Sequence, residues 1–227
     1  MQDLIKCSIV IPCYNSENSI KVLIEELLNL NLKKFKIIEI IRINDFSNDD
    51  TLQILEDIKK IHKSLIVINN LKNEGQVKTT INGIIVARGD YIITLDDDFQ
   101  HPTSQIIKLL EACYDQNLDF TIGIWNLDEN IIRNLSSLFA NFLFSLIRLD
   151  FSFFKFSAFR VIDSKIKNLI IEKFQDSLMM DLRKISKKYK MILVEHNSKP
   201  FGRRYTSFSY RVKLALTYLL KEIKFKR

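Results

Sequence analysis

Apolar and polar positions alternate along the chain between short apolar runs and helical stripes. Residues 4–11 (LIKCSIVI) form a mostly apolar run closed by Pro12, the pattern of a buried strand. Ile20, Leu23, Ile24, Leu27 and Leu28 then recur at helical spacing. The same reading predicts a strand over 35–43, a helix over 49–61 carried by Leu52, Ile54, Leu55 and Ile58, and a short strand over 64–68. A helix over 76–87, a strand over 90–95, a helix over 104–114 and a strand over 119–124 follow. Strand and helix thus alternate through about residue 125. That order predicts an α/β fold, a mostly parallel sheet with helices on both faces.

Beyond Trp125 the pattern loosens. Residues 130–149 predict an apolar helix with Phe139, Phe142 and Phe144 along it, and 151–163 (FSFFKFSAFRVID) a strand or hairpin. A helix over 176–188, a strand over 190–195 and a basic amphipathic helix over 207–223 complete the chain. No repeat and no low-complexity linker divides it, so residues 1–227 are expected to form a single domain.

Polar clusters close the predicted strands: PCYNSEN (12–18), NDFSNDDT (44–51), NEGQ (73–76) and DDDFQHP (96–102). Ligands of parallel sheets bind beyond the carboxyl ends of the strands, so these four loops are expected to line one cleft. In an extended segment alternate side chains share a face, which puts Asp96 and Asp98 together and turns Asp97 away. Two carboxylates joined by the amide oxygen of Gln100 make an oxygen-only partial shell. Such a shell suits Mg²⁺ or Mn²⁺, completed by phosphates and water. A merely solvated turn is the competing reading of an isolated Asp-x-Asp. Neither GxGxxG nor GxxxxGK[ST] occurs, so a diphosphate would be held chiefly through the metal. With polar loops left for a base and a sugar, the expected ligand is a nucleotide-diphosphate sugar.

Composition narrows the class. A hydrophobic fraction of 47% is that of a soluble domain. Cys7, Cys13 and Cys113 are scattered without CxxC spacing, as in a reducing compartment. His62, His101 and His196 are too dispersed for a histidine metal site. No secretory signal is visible at the start, and the longest charge-free run, residues 134–147, is fourteen residues with three serines. A bilayer span needs about 20 apolar residues. Residues 183–227 carry fourteen Lys and Arg against Glu195 and Glu222, while the whole chain carries only +7. A basic C-terminal fifth over an acidic remainder points to an anionic partner such as a phosphate or an acidic membrane surface. Nucleic acid ranks last, because it leaves the acidic cleft without a purpose.

SIVIPCYNSENSI, INDFSNDDT, NEGQ, ARGDYIITLDDDFQHP and FSAFRVID resemble, in order and spacing, family 2 glycosyltransferases of the GT-A fold. The resemblance covers about residues 8–163 and is nearest the polyprenyl-phosphate branch, of the dolichyl-phosphate mannose synthase and undecaprenyl-phosphate sugar transferase type. It implies a Rossmann-like sheet whose residues 1–125 bind the donor and 126–205 the acceptor, followed by the basic helix at 206–227. It implies that Pro12, Tyr14, Asn15, Asp45, Gln76 and Asp96 hold the donor nucleotide, and that Asp96, Asp98 and Gln100 hold the metal and diphosphate. RNLSS (133–137) and SAFR (157–160) look like elements that grip an acceptor phosphate, which assigns Arg133, Ser157 and Arg160 to it. FGRRYTSFS is loosely similar to a late loop that sets Arg203 and Arg204 near the diphosphate.

The chemistry implied is inverting transfer from a nucleotide sugar to a polyprenyl phosphate, with Asp96, Asp98 and Arg160 as its working residues. A saccharide hydroxyl acceptor would require a carboxylate base, for which Asp97 and Asp150 are candidates. A catalytically silent nucleotide-sugar binder is the third reading. The expected place is cytoplasmic, peripheral at the inner face of the membrane, contacted through 138–147 and the basic tail; a homo-oligomer stays open. The chain departs from the pattern at Phe46, where a glycine is usual, at Ser16 for a glutamate, and at Ala158 for a glycine.

Overall fold

The computed structural model describes residues 3–125, 157–175, 177–195 and 197, all within one compact unit. β1 (Ile5–Cys13) and β2 (Phe35–Asn44) pair in parallel as interior strands of the sheet, and both are buried along most of their length. β3 (Leu65–Asn69) pairs with β2 in parallel, and β4 (Tyr91–Thr94) pairs with β1 in parallel. β5 (Phe120–Ile124), β6 (Arg160–Asp163) and β7 (Tyr189–Leu193) extend the sheet on the far side. Among the described residues the order is β3-β2-β1-β4-β6-β5-β7, seven strands, with β6 antiparallel to both β4 and β5.

Helices cover both faces. α1 (Ile20–Leu28) buries Ile20, Leu23, Ile24 and Leu27, and α4 (Ile106–Asp115) buries Ile106, Leu109, Leu110 and Cys113. Each set is the i, i+3, i+4, i+7 stripe of a one-sided helix. With Ile9, Ile11 and Cys13 of β1, these stripes form one core. α3 (Gln76–Val86), α5 (Lys167–Lys173) and α6 (Leu178–Ile185) pack on the other face around Val10, Ile43, Ile92 and Phe120. α2 (Thr51–Ile61) buries Leu55 in the first core.

The expected alternation holds through β5. Two differences follow from long-range pairing. Only Arg160–Asp163 of the 151–163 segment is a described strand, and it enters between β4 and β5 antiparallel to its neighbours. The helix at Lys167–Lys173 was not expected, although Ile166 and Ile170 are buried at helical spacing; Asp163 Oδ1 accepts from Lys165 N at 2.9 Å and opens the turn that leads into it. The helix expected over 176–188 spans Leu178–Ile185. The helices expected over 130–149 and 207–223 lie outside the described residues. No described helix is long and apolar enough to cross a membrane. Cys7, Cys13 and Cys113 are buried free thiols, and burial pushes Cys7 and Cys113 up to about 12, so neither is ionised near neutrality.

Candidate active site

Strand register brings the polar loops to one edge. Cys13, Asn44 and Asn69 stand opposite one another at the carboxyl ends of β1, β2 and β3, and Asn44 Nδ2 donates to Asn69 Oδ1 at 2.8 Å. Pro12 is buried within β1 opposite Ile43, Tyr14 is half-buried, and Asn15 is exposed with φ 52°. Asn15 N donates to Ser47 Oγ at 3.0 Å, and Asn48 N donates to Asn15 Oδ1 at 2.9 Å, so the loops after β1 and β2 are laced together.

Asp45, only 3% exposed, is the knot of this region. Its Oδ1 accepts from Asn70 Nδ2 at 2.9 Å and from Glu74 N at 2.8 Å, and its Oδ2 from Gly75 N at 2.9 Å. Gly75 sits at φ 83°, a conformation that only glycine adopts without strain, and this aims its N–H at the carboxylate. Charge-assisted bonds of this kind are about twice as strong as neutral ones. Asp45 therefore fastens the NEGQ loop and, through it, the start of α3.

From there Gln76 reaches across. Its Nε2 donates in a short hydrogen bond to Asp96 Oδ1, at the end of β4. Along 95–101 burial alternates: Leu95, Asp97, Phe99 and His101 are buried, while Asp96, Asp98 and Gln100 are half-buried. Asp96, Asp98 and Gln100 thus share an exposure that their neighbours lack, and Phe99 at φ 57° bends the chain beyond the strand. Gln100 N donates to Asp98 Oδ1 at 3.0 Å. Asp97 faces inward, where Ser16 Oγ donates to its Oδ2 in a short hydrogen bond.

Electrostatics single out Asp96. Desolvation first, then the charges of Asp98 and Asp97, push its carboxyl up to about 7, against the opposing pull of Arg160 and the Gln76 hydrogen bond. Crowded carboxylates of this kind are what a cation relieves. Among the described residues no group of three or more His, Cys, Asp and Glu side chains gathers to hold an ion. The donor set expected there, two carboxylates and one amide, is of the chemical kind that suits a hard cation drawing its remaining ligands from phosphates and water.

Arg160 arrives from the opposite direction. Because β6 is antiparallel, its first residue lies opposite Thr94, the last of β4, two positions before Asp96. Thr94 Oγ1 donates to Ala158 O at 2.6 Å and locks the SAFR turn to the strand end. Arg160 is 9% exposed, and among the described residues its Nε has no hydrogen-bond partner. Burial lowers its pKa to about 10, opposed by Asp96, so it stays cationic at neutral pH. A buried guanidinium nitrogen without an acceptor has a hydrogen bond left to donate, which an anion could take. Ser157 is buried, and its Oγ accepts from Phe159 N at 3.1 Å, so the hydroxyl shapes the turn. Arg133, Asp150, Arg203 and Arg204 lie outside the described residues.

Sequence reasoning missed the clamp on this loop. Asn197 N donates to Gln100 O at 3.0 Å, and Asn197 Nδ2 donates to Phe99 O at 3.3 Å. The acceptors are backbone carbonyls 97 or more residues away, so no local pattern announces the pairing. The stack of His101 on Phe159 escaped for the same reason.

The profile of glycosyl transferase family 2 matches residues 8–159. An undecaprenyl-phosphate 4-deoxy-4-formamido-L-arabinose transferase of Pectobacterium atrosepticum is 36% identical over 139 residues, 60% of this chain and 42% of that protein. A poly(ribitol-phosphate) beta-glucosyltransferase of Bacillus spizizenii is 34% identical over 119 residues, 52% of this chain and 19% of that protein. The chain therefore spans well under two thirds of the length of these relatives. Among solved structures, mannosyl-3-phosphoglycerate synthase from Rubrobacter xylanophilus superposes with a TM-score of 0.68 at 16% identity, over 97% of this chain and 75% of that one. A mannosyltransferase from Pyrobaculum calidifontis in complex with GDP-Man and Mn²⁺ gives 0.67 at 13% identity, over 98% and 65%. These two likenesses bear on the fold alone, which is the GT-A fold anticipated from the motifs. Matched in profile over more than half its length, the chain belongs to glycosyl transferase family 2.

Proposed function

We propose that this chain transfers a sugar from a nucleotide-diphosphate sugar to a polyprenyl phosphate at a membrane surface, with Mg²⁺ or Mn²⁺ held by Asp96, Asp98 and Gln100. The observation that carries the reading is the meeting of an acidic pair and a buried arginine at one strand end: Asp96, two residues past the pairing of Thr94 with Arg160. A donor diphosphate and an acceptor phosphate need opposite kinds of support side by side, and this edge offers both. The Pectobacterium relative is named for an undecaprenyl-phosphate acceptor, and the Pyrobaculum structure contains a nucleotide sugar with Mn²⁺.

In this mechanism the loops carrying Pro12, Tyr14, Asn15 and Asp45 hold the nucleotide, with Gln76 orienting Asp96 beneath it. Arg160, with Arg133 and the turn at Ser157, grips the acceptor phosphate and sets one of its oxygens in line with the departing diphosphate. That oxygen is ionised at neutral pH, so it attacks the anomeric carbon without a general base. A bond forms between phosphate oxygen and anomeric carbon. The bond from that carbon to the diphosphate breaks, its electron pair leaves with the nucleotide, and configuration inverts. A divalent ion bound at Asp96 and Asp98 supplies neutralising charge for the departing diphosphate. Arg203 and Arg204 are assigned to the same diphosphate, and the basic C-terminal segment with 138–147 to the membrane surface.

A saccharide hydroxyl would need a base close to the anomeric carbon. Asp97 is buried against Ser16 on the inward side of the loop, which favours the phosphate acceptor. The test is product formation. Purified protein with a panel of nucleotide sugars, Mg²⁺ or Mn²⁺ and a short polyprenyl phosphate should yield a glycolipid that a chelator abolishes. Transfer to a saccharide but not to the lipid phosphate would overturn the acceptor. Donor binding without turnover on any acceptor would mark a silent binder.

A further inference from the structure

Three non-glycine residues at the carboxyl edge hold left-handed backbone: Asn15 at φ 52°, Phe46 at φ 61° and Phe99 at φ 57°. Asparagine tolerates that region, but a bulky aromatic there is strained. Phe99 offsets the strain by burying its ring in the first core, at 7% exposure. Phe46 does not. Its side chain is 51% exposed, and among the described residues it stacks on no other ring.

The loop nevertheless grips Phe46 from both sides. Asp45 is fixed by its carboxylate bonds and by Asp45 N donating to Cys13 O at 2.8 Å. Ser47 N donates to Asn44 Oδ1 at 3.3 Å, and Ser47 Oγ accepts from Asn15 N. The fold thus keeps a strained backbone at an aromatic residue that stays about half exposed to water. Strain of this kind, kept in place by its surroundings, belongs with ligand contact. Phe46 lies two residues past Asn44, which pairs with Cys13, on a loop laced through Ser47 and Asn48 to the loop that carries Tyr14.

We propose that Phe46 is a stacking platform for the nucleobase of the donor. The inference rests on the proposed reading of the cleft as a nucleotide-sugar site and adds which residue meets the base. Stacking uses the face that every base has, so Phe46 strengthens binding without choosing sharply among bases.

The test measures binding by calorimetry in MnCl₂ for the wild type, Phe46→Gly and Phe46→Trp. The probes are UDP, GDP, CDP and TDP, with inorganic pyrophosphate as a probe that lacks a base. Phe46→Gly should weaken the nucleotides that bind by about tenfold or more, and leave pyrophosphate within about twofold of wild type. Phe46→Trp should restore nucleotide affinity. The glycine variant is expected to fold, because its φ suits glycine and the lost ring is exposed. Unchanged nucleotide affinity in Phe46→Gly overturns the stacking role and leaves the nucleotide-sugar reading standing. Equal losses for nucleotides and pyrophosphate assign the residue to loop shape and overturn it too. A wild type that binds none of the four nucleotides removes the underlying reading and the inference together.

Discussion

The ring of His101 stacks on that of Phe159 with centroids 5.1 Å apart and planes 20° from parallel. His101 follows Gln100 in the acidic loop, and Phe159 precedes Arg160, so one aromatic contact joins the loop assigned to the metal with the turn assigned to the acceptor. Trp125 also meets the imidazole, tilted by 59° with centroids 5.0 Å apart. Gly123 makes room for the arrangement, since a Cβ there would lie 2.7 Å from Phe159 Cδ1. Phe159 is fully buried. Phe159→Ala should therefore cost about 3–5 kcal/mol in urea denaturation. Phe159→Tyr and Phe159→Leu separate stacking from volume. If the stack positions both halves of the site, the leucine variant should lose more activity than its stability loss accounts for, at saturating donor and acceptor.

Asp97 gives a second prediction. It is 8% exposed and takes the Ser16 hydroxyl's hydrogen bond, so its work is to tie the acidic loop to the loop after β1. Asp97→Asn keeps an acceptor oxygen there and should hold kcat within about tenfold of wild type, whereas loss of a general base removes about 10²- to 10⁴-fold. Asp97→Ala leaves the Ser16 hydroxyl without its acceptor and should lower stability by about 1–3 kcal/mol. A collapse of kcat in the asparagine variant, with Tm unchanged, would make Asp97 the base and restore the hydroxyl acceptor.

A third prediction concerns the opposite end of the sheet. Glu39 is 1% exposed, and its carboxylate accepts from Ser8 Oγ at 2.6 Å, Arg88 N at 2.6 Å, and Arg88 Nε and Nη2 at 3.0 and 2.9 Å. Burial alone would raise its pKa, but the Ser8 and Arg88 hydrogen bonds together outweigh it and hold the group below its ordinary 4.5. The ARGD turn before β4 is fastened in this way. A carboxyl depressed by folding stabilises the chain fully above its unfolded pKa, and that contribution fades as pH falls through the folded value. Glu39→Gln should therefore cost about 2–3 kcal/mol near neutral pH. The gap in Tm between wild type and variant should narrow as pH drops below about 4.5. The Arg88 side chain is 73% exposed, so added salt screens its charge and should narrow this gap slightly.

Much of this was legible in the residues. β1, β2 and β4 read as strands because burial on both faces demands mostly apolar runs. The half-exposure of Asp96, Asp98 and Gln100 between buried neighbours is what strand alternation leads one to expect, and it continues past the last paired residue, Thr94. The direction of β6 was not legible, because a strand's own pattern does not encode which way its partners run. The helix at Lys167–Lys173 offers only Ile166 and Ile170 as buried helical positions, too few for periodicity to mark it. Asp45 was expected to face a ligand, and its carboxylate is largely engaged by Asn70, Glu74 and Gly75. Only the folded backbone shows where those donors lie. Asn197 joins the site through carbonyls of Phe99 and Gln100, which any residue types would supply.

The central claim is that the acidic tip beyond β4 clamps a divalent ion against a diphosphate. Electron paramagnetic resonance of Mn²⁺ in solution reads this directly, because the six-line signal of the free ion vanishes on binding. With UDP or GDP present, wild-type protein should remove free Mn²⁺ well beyond what the nucleotide removes alone. Asp98→Ala should lose that uptake by about a hundredfold in affinity. Equal uptake by the wild type and by Asp98→Ala would contradict the account.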